Sequence, residues 1–297
     1  MLLTLLVTLM LVLQAPGSTL QPDPPMRCAA CDAWNEPLPP FKVFGNTYFV
    51  GTGGLSSVLI TSDSGHILLD GGLTQSAALI DANIRQLGFD PADIRLIAAS
   101  HEHYDHVGGI AALQRLSGAE VVHSEAGVRA LRRGLPNDDD PQIAFGREAN
   151  AFPAVSSVRA VADGEVVRVG PLAITAHYTP GHTPGSTSWS WRSCEGDRCV
   201  DIVYADSLNP VSSDDFRFSG GNGRPGIEDS FRASIAKVAS LPCDIVISVH
   251  PGFTNLTQKL AARAAGASPD PFIDGGCGQY AADAARRLDE RLARERR

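Results

Sequence analysis

The strongest chemical signal in this chain of 297 residues is a run in which three imidazoles and the carboxylate of Asp105 fall within six positions. The run reads His101-Glu102-His103-Tyr104-Asp105-His106 and follows the apolar segment 94–99. Imidazole nitrogen and carboxylate oxygen are donors that zinc accepts readily. Because four such donors on one short loop are costly to hold together without a cation, the run predicts a metal site.

The spacing of these residues limits the type of metal site. The helical zinc-protease motif HExxH requires a second His where this chain has Asp105, so that motif is excluded. In an extended segment, residues two apart share a side, which places His101, His103 and Asp105 on one face and turns His106 away. Ligand sets that point apart predict two ions, roughly 3.5–4 Å from each other. The alternative is a histidine-rich surface loop without a metal.

Two further histidines occupy loops that follow strand-like runs. His182 lies in Thr-Pro-Gly-His-Thr-Pro-Gly-Ser at 179–186, where Pro and Gly favour a rigid turn. His250 ends the apolar run 245–249 and precedes Pro-Gly. Loops that follow strands can converge at one end of a layered α/β fold, and such loops often carry catalytic residues. The sequence therefore predicts that both histidines join the first cluster.

Taken together, HxHxDH at 101–106, PGHTPGS at 180–186 and the final His-Pro-Gly at 250–252 resemble the metallo-β-lactamase superfamily. The resemblance covers nearly all of the chain from about Cys28. It implies an α/β fold, a four-layer αβ/βα sandwich of two mixed sheets flanked by helices. It also implies two Zn²⁺ ions per chain. The first would be held by His101, His103 and His182, and the second by Asp105, His106 and His250.

Several segments resemble the subclass B3 β-lactamases in particular. The segment 31–35, followed by Gly45-Asn46-Thr47-Tyr48, resembles the start of the mature B3 enzymes. The segment 204–208 resembles them as well, at a place where other subclasses have a cysteine ligand. The pairing of Cys243 with Cys277 also matches that family. The resemblance implies zinc-dependent hydrolysis of the β-lactam amide bond by a metal-bridging hydroxide. Its substrates would be small-molecule β-lactam antibiotics, including carbapenems, and the activity would confer resistance to them.

Two alternatives remain open at this point. Asp206-Ser207-Leu208 also resembles the Asp-Thr-Leu run of glyoxalase II-like hydrolases and the Asp of lactonases. In those enzymes the Asp bridges two metals, so a thioester or a lactone is the alternative substrate. The other alternative is an exported zinc-binding protein without catalytic activity.

The resemblance and the residue types suggest further roles around the metals. Asp105 would orient the attacking hydroxide as well as bind metal, and Ser207 would donate a hydrogen bond to the substrate carboxylate or to a metal-bound water. Asn209 stands where relatives often have Ser or Thr and would contact the substrate. Phe145 and Phe152 flank a loop that overhangs the site in relatives, so each either contacts substrate or packs in the core.

Other polar residues have less certain roles in the sequence. Asp70, which precedes two glycines, is either an outer hydrogen-bond partner of a metal-bound His or a turn residue. His66, His123 and His177 lie in or beside strand-like segments without nearby ligands, and we expect them to be structural or exposed. The loop 134–154 is long and rich in Asp, Pro and Asn, which is typical of a functional loop.

The first 17 residues have the pattern of a secretory signal. Residues 1–13 are apolar except for Thr4 and Thr8, a run shorter than the roughly 20 residues of a membrane-spanning helix. We expect a signal peptide at 1–17, a leader at 18–27 and a single metallo-β-lactamase domain at 28–297. The expected location is the periplasm, without membrane association after signal removal. An uncleaved anchor is the competing interpretation.

The six cysteines agree with export. Cys194 and Cys199 flank a hairpin-like tip and are expected to form a bridge. Cys28 and Cys31 form a CxxC, which we expect to be a simple disulfide or two thiols rather than a redox centre, because the βαβ context is missing.

Charge and composition limit the partners. The formal net charge is −8 and the basic residues form no long run, which argues against nucleic acid as a partner. With 43% hydrophobic and 20% charged residues, the chain has the composition of a globular protein, and we expect a monomer. Strands are predicted near 41–50, 57–61, 66–69, 96–99 and 120–123, and again near 166–169, 173–178, 186–191, 201–204 and 244–249. Helices are predicted near 75–86, 108–115, 126–133, 229–239 and 280–297.

Overall fold

Strand-forming runs in the first half of the chain build a mixed sheet of seven strands in sequential order in the computed structural model, which describes residues 19–221 and 223–297. The strands are β1 (Phe41–Phe44), β2 (Thr47–Phe49), β3 (Val58–Ile60), β4 (His66–Leu69), β5 (Ile94–Ala98), β6 (Glu120–His123) and β7 (Val158–Ala160). Strands β1 to β4 pair antiparallel, and β4 to β7 pair parallel. The predicted signal peptide at 1–17 lies outside the described residues.

The second half builds a five-stranded mixed sheet in the order β12-β11-β10-β9-β8. Its strands are β8 (Val166–Val169), β9 (Leu172–Tyr178), β10 (Thr187–Glu195), β11 (Arg198–Ala205) and β12 (Ile245–Ser248). Strands β8 to β11 pair antiparallel, whereas β11 and β12 pair parallel. A parallel pair needs a long crossover, which residues 206–244 supply.

Helices cover the outer faces of both sheets. They are α1 (Cys31–Trp34), α2 (Ser76–Gln86), α3 (Tyr104–Val107), α4 (Ile110–Ser117), α5 (Glu125–Arg133), α6 (Arg147–Asn150), α7 (Glu228–Ser240), α8 (Leu256–Ala264) and α9 (Cys277–Glu295). Single 3₁₀ turns occupy Pro91–Asp93, Ile143–Phe145 and Pro251–Thr254. Helices α2, α4 and α5 pack on the first sheet, and α7 and α9 pack on the second. No helix within the described ranges is long and apolar enough to cross a membrane.

The main core lies between the two sheets. Strand β4 shows why: Ile67 and Leu69 point towards the second sheet, and Leu68 points towards the outer helices. Successive side chains of a strand alternate between its faces, so a strand covered on both sides is apolar throughout. Trp189 and Ile202 meet β4 from the opposite sheet. The predicted four-layer αβ/βα sandwich is confirmed.

One local prediction needs correction, and several short elements were missed. The run 41–50 is not one strand but the hairpin of β1 and β2, because Gly45 adopts a positive φ of 51° and turns the chain. Strand β7 and the helices α1, α3, α6 and α8 were not predicted. Strand β7 is short, with one of its three residues buried, and α8 buries Leu256 alone, so both carry weak apolar patterns.

The strand ends bring the predicted ligands to one edge. The segment 101–106 follows β5, His182 lies between β9 and β10, and His250 follows β12. Strand β5 runs parallel to β4, which ends just before Asp70, and β11 runs parallel to β12. The carboxyl ends of these parallel strands therefore present their loops to the same crevice.

All six cysteines are paired in the structure. Cys194 and Cys199 bond across the tip of the β10–β11 hairpin, with an S–S distance of 2.03 Å. Cys243 and Cys277 join the start of β12 to the start of α9 at 2.04 Å. Cys28 also bonds to Cys31, the pairing that the sequence left open.

The last turn of α9 holds the loop that follows β11. The buried carboxylate of Glu295 accepts hydrogen bonds from the backbone N–H groups of Phe218 and Ser219 and from the Ser219 hydroxyl. The Arg291 guanidinium donates to it from one turn earlier, at 2.8 Å. Burial opposes ionisation, but the hydrogen bonds from Arg291, Ser219 and Phe218 outweigh it and lower the pKa of Glu295 from 4.5 to about 2.

We predict that Glu295→Gln lowers the free energy of unfolding by about 1–3 kcal/mol at pH 7, because charged hydrogen bonds become neutral ones. Since the pKa of Glu295 is lowered in the folded chain, ionisation stabilises the fold above about pH 4.5, and this contribution is lost as the pH falls towards 2. Urea unfolding of the wild type and of Glu295→Gln should therefore show a difference in the free energy of unfolding that shrinks as the pH approaches 3. The control is Glu290→Gln, an exposed residue of the same helix; an equal effect of both variants would contradict the prediction.

Candidate metal centre

The first group of possible ligands combines two histidines after β5 with one from the β9–β10 loop. One donor atom from each of His101, His103 and His182 lies within 4.8 Å of the others, and all three residues are buried. Nδ1 of His103 is 3.2 Å from Nε2 of His182. The Pro-Gly turn that the sequence indicated at 180–181 therefore brings His182 against the 101–106 segment.

The second group lies directly beside the first. Donor atoms of His101, Asp105 and His106 also lie within 4.8 Å of one another. His250 joins them from the end of β12: its Nε2 is 3.3 Å from Nε2 of His106 and 3.5 Å from Oδ2 of Asp105. The structure thus brings together all six residues that the sequence nominated as metal ligands.

The local conformation of this segment differs from the extended one that the spacing suggested. His103 is extended, with φ −93° and ψ 150°, and the chain then turns into α3, which carries Asp105 and His106. Gly71, Gly108 and Gly109 permit this turn, since the N–H of Gly109 donates to Gly72 and a side chain on Gly109 would collide with the Gly71 carbonyl. A helical turn, rather than alternation along a strand, separates the two ligand groups.

In three of the histidines, the ring nitrogen that points away from the centre lies beside an oxygen acceptor. Nδ1 of His101 lies 2.7 Å from Oδ1 of Asp206. Nδ1 of His182 lies 2.7 Å from the carbonyl of Asn209. Both oxygens of Asp140 lie within 3.2 Å of Nε2 of His103. A carbonyl or carboxylate can only accept, so each of these ring nitrogens is the one that carries the hydrogen.

His250 follows the same arrangement, since its Nδ1 lies 3.2 Å from the carbonyl of Gly54. His106 differs: its buried Nδ1 has no hydrogen-bond partner, and Oδ2 of Asp70 lies 3.5 Å away as a charged neighbour. Outer carboxylates and carbonyls of this kind are typical partners of metal-bound imidazoles, because they set the tautomer and the ring orientation.

The donor set fits a divalent metal. With the outer nitrogens protonated, the inner nitrogens of His103 and His182 present lone pairs to each other, and so do those of His106 and His250. The inner Nε2 of His101 is buried and has no hydrogen-bond partner. Converging lone pairs repel unless a proton or a metal cation lies between them. Imidazole nitrogens with one carboxylate are suitable donors for zinc and related divalent ions.

The electrostatics of the cluster agree with metal binding. Burial lowers the pKa of His182 to about 3 and that of His250 to about 4, which favours the neutral, ligating form. Burial also disfavours protonation of His106, but the Asp105 charge outweighs it and raises the pKa of His106 to about 10. The pKa of Asp105 is lowered despite burial by its histidine neighbours. The Asp105 side of the cluster therefore attracts positive charge.

Asp70 combines the two roles that the sequence left open. It has a positive φ of 58°, as a turn residue would. Its buried carboxylate accepts hydrogen bonds from the N–H and hydroxyl of Ser100 and from the hydroxyl of Tyr204, in addition to its contact with His106. Asp70 thus ties β5, the second sheet and the metal ligand loop together.

Asp206 lies behind His101 rather than between the two ligand groups. It is fully buried, and one of its oxygens contacts the outward nitrogen of His101. Its backbone is also fixed, because the Tyr280 hydroxyl donates to the Asp206 carbonyl at 2.7 Å and accepts from the Leu208 N–H at 3.2 Å. This geometry favours an outer role for Asp206 and does not support a carboxylate that bridges two metals.

A cleft of about 600 Å³ opens over the metal centre. His103, Asp105, His182 and His250 contribute to its floor. Its walls include Trp34, Gln142, Ser207, Asn209, Val211 and Phe253. Ser207 and Asn209 are therefore placed where the sequence predicted substrate contacts. The Trp34 ring lies 5.4 Å from the His250 ring, so the N-terminal helix α1 forms part of the wall.

The two phenylalanines predicted at the site are placed differently. Phe152 packs in the core beneath α5 with Leu131 and Val155, because the loop returns to the end of α5, where the Phe152 N–H donates to the Gly134 carbonyl. It does not line the cleft, so the prediction of a substrate contact is corrected in favour of core packing. Phe145 is 50% exposed and does not line the cleft either, although Gln142, three residues earlier, does.

Several residues of the site could not be singled out from the sequence. Asp140 lies in the loop 134–154, which was predicted to be functional, but three consecutive Asp residues gave no means of choosing one. Glu102, the middle residue of His-Glu-His, accepts hydrogen bonds from the Thr183 hydroxyl and the Gly185 N–H. Burial and then the Asp140 charge raise the pKa of Glu102 to about 7.

The histidines predicted to be structural lie apart from these ligand groups. His123 is buried and its Nδ1 accepts from the Ser124 N–H. His177 contacts the Ser190 hydroxyl at 2.8 Å, and the His66 ring packs against Phe89.

Comparison with curated proteins gives partial matches. Hydroxyacylglutathione hydrolase of Anaeromyxobacter dehalogenans is 30% identical over 167 residues, which is 56% of this chain and 51% of that protein. The chain thus spans about half the length of this relative. A probable metallo-hydrolase of Bacillus subtilis is 27% identical over 80% of this chain and 96% of that protein.

Comparison with solved structures gives matches over most of the chain. MEM-A1, a subclass B3 metallo-beta-lactamase from a soil metagenome library, is 51% identical with a TM-score of 0.84, covering 88% of this chain and 98% of that one. The Rm3 metallo-beta-lactamase is 47% identical with a TM-score of 0.87, covering 91% and 100%. The family model of the metallo-beta-lactamase superfamily matches residues 50–250. The chain therefore belongs to the metallo-beta-lactamase superfamily, and over most of its length it resembles subclass B3.

Proposed function

We propose that this protein is a zinc-dependent hydrolase of the β-lactam amide bond and that it confers resistance to β-lactam antibiotics, carbapenems among them. The observation that carries the proposal is the paired ligand set at the floor of a cleft whose walls include Ser207 and Asn209. The likeness to solved B3 metallo-beta-lactamases at 47–51% identity supports the same reaction.

The proposed centre takes two Zn²⁺ ions per chain. His101, His103 and His182 would hold one, and Asp105, His106 and His250 the other. Bound zinc supplies a Lewis acid for the amide carbonyl and activates water near neutral pH. The protein contributes the orientation, because four of the five imidazoles are fixed by an outer oxygen before the ion arrives.

Side chains of the cleft would position the substrate and the attacking water. Asp105 stays ionised, since its histidine neighbours lower its pKa, and one of its oxygens can accept a hydrogen bond from water. Ser207 and Asn209 lie on the turn after β11 and can donate hydrogen bonds to a substrate carboxylate. Trp34 and Val211 offer apolar surface to the substituents of a bicyclic antibiotic.

A thioester or lactone substrate is the second candidate, and the hydroxyacylglutathione hydrolases among the relatives favour it. The position of Asp206 behind His101 is the structural argument against it. Purified protein assayed against a carbapenem, a cephalosporin, a lactone and a glutathione thioester would separate the two. Faster turnover of the thioester or the lactone than of both antibiotics would overturn the proposal.

The cellular context completes the proposal. We propose that residues 1–17 are a signal peptide, that 28–297 form one domain and that the mature protein works in the periplasm as a monomer. Three disulfides agree with an oxidising compartment.

We predict that chelation abolishes carbapenem hydrolysis and that added Zn²⁺ restores it. Asp105→Ala should lower kcat/KM by more than about 100-fold, since loss of an outer partner alone costs about 10–100-fold at metal sites. Metal content and turnover are measured in the same samples, and circular dichroism reports whether the fold persists. Turnover that survives exhaustive chelation would refute the metal mechanism.

We predict that Tyr280→Phe raises KM for the substrate several-fold, with a smaller change in kcat. The change leaves the buried carbonyl of Asp206 and the N–H of Leu208 without their partner, at a cost of about 1–3 kcal/mol in stability. Ser207 lies between these two residues, so its position should loosen. Tyr48→Phe on β2, which does not line the cleft, is the matched control. An unchanged KM would contradict this role of Tyr280.

A further inference from the structure

We propose that Asp140 is a positioning residue for His103 and that it couples metal binding to the order of the 137–145 loop. The inference rests on the proposed metal site, but not on the identity of the substrate. Asp140 is fully buried, and its two carboxylate oxygens lie 3.1 and 3.2 Å from Nε2 of His103. A carboxylate in this position fixes the tautomer in which Nδ1 of His103 faces the metal centre, and it strengthens that nitrogen as a donor.

The same carboxylate organises the loop that carries it. Oδ1 of Asp140 accepts a hydrogen bond from the Gln142 N–H at 2.7 Å. The backbone of Asp140 donates to the Asn137 carbonyl and accepts from the Ile143 N–H. Gln142 lines the cleft. One buried side chain therefore connects a metal ligand to a residue of the substrate wall.

A second buried carboxylate anchors the start of this loop. The Asn137 side-chain amide donates to Oε1 of Glu102 at 3.2 Å and to the Ala126 carbonyl at 3.0 Å. Glu102 lies between His101 and His103 and also holds the turn after His182 through Thr183 and Gly185. The 137–145 loop is thus attached through Asn137 and Asp140 to residues that position the ligands.

A metal cation on the far side of the His103 ring would stabilise the negative charge of Asp140. Without that cation, two buried carboxylates, Glu102 and Asp140, repel each other. With the cation bound, the imidazole of His103 would lie between the negative charge of Asp140 and the positive charge of the metal, and the two charges would stabilise each other. Metal binding should therefore order the loop, and loss of the Asp140 charge should weaken metal binding at the group formed by His101, His103 and His182.

The neighbouring residue Asp139 provides a matched control. It is exposed, whereas Asp140 is buried. Asp139→Asn changes the same charge by the same chemistry, one position away on the same loop. Asp138 is less suitable, because it forms an ion pair with Arg133 at 2.8 Å.

The test compares wild type, Asp140→Asn and Asp139→Asn without any substrate. Competition with a chromogenic chelator measures the affinity for zinc, and the visible absorption of the cobalt(II)-substituted proteins reports the geometry at each site. We expect Asp140→Asn to weaken one of the two metal-binding steps by about 10–100-fold, to leave the other within about threefold and to shift the cobalt spectrum. Asp139→Asn should match wild type in both metal-binding steps and in the cobalt spectrum.

Hydrogen exchange of the wild-type protein is the second measurement, and it holds even if Asp140→Asn fails to fold. Amides at 138–145 should gain protection on addition of zinc, whereas those of the 195–198 hairpin tip should not. The proposal is overturned if Asp140→Asn binds both ions as tightly as Asp139→Asn does, or if zinc leaves exchange at 138–145 unchanged. A metal-dependent loop in a protein that hydrolyses no β-lactam would overturn the proposed function alone.

Discussion

The convergence of unprotonated imidazole nitrogens is the constraint on which the rest of the site depends. An imidazole offers a lone pair inwards only if its other nitrogen carries the hydrogen and finds an acceptor. The fold provides that acceptor separately for four of the five rings, from Asp206, Asp140 and two backbone carbonyls, whereas the ring of His106 has only the charge of Asp70 at 3.5 Å. These acceptors come from both sheets and from the long loop. The two-sheet architecture therefore allows the five imidazole rings to converge on two adjacent ligand groups.

Buried negative charge is the counterpart of this convergence. Asp70, Glu102, Asp140 and Asp206 are each inaccessible to solvent, and Asp105 is nearly so. Burial of a carboxylate without a positive partner is costly. In the protein without cations this cost raises the pKa values of Glu102 and Asp206, for which burial is the main cause. Two divalent cations would balance most of this charge at once. The outer carboxylates thus favour a centre with two ions over a centre with one.

The sequence predicted what is local and missed what depends on long-range folding. His101, His103, Asp105 and His106 are close in the chain, so their spacing alone indicated a metal site. His182 and His250 lie 79 and 144 positions from their partners, and they were placed beside this segment only because each follows a strand-like run. The family resemblance was needed to assign each of them to one ligand group. Neither Asp140 nor the carbonyl of Gly54 belongs to a sequence motif. Every residue has a backbone carbonyl, and only the fold determines which carbonyl lies beside a histidine. The short helix α3 was missed because ligand spacing is compatible with an extended strand as well.

Metal ligands define a reaction type more strongly than a substrate. Zinc ions held by these ligands would activate water for attack on the carbonyl of an amide, a thioester or a lactone alike, so the discrimination between these substrates would lie in the walls of the cleft. Here the walls come from Trp34 on the N-terminal helix, Gln142 on the long loop and the turn at Ser207 and Asn209. Each wall is fixed to the metal centre by a separate contact: the Trp34 ring packs on His250, Asp140 joins Gln142 to His103, and the carbonyl of Asn209 accepts from His182. These three contacts couple the walls of the cleft to the imidazoles, so a change that displaces Trp34, the Gln142 backbone or the turn at Asn209 is expected to shift a metal ligand as well.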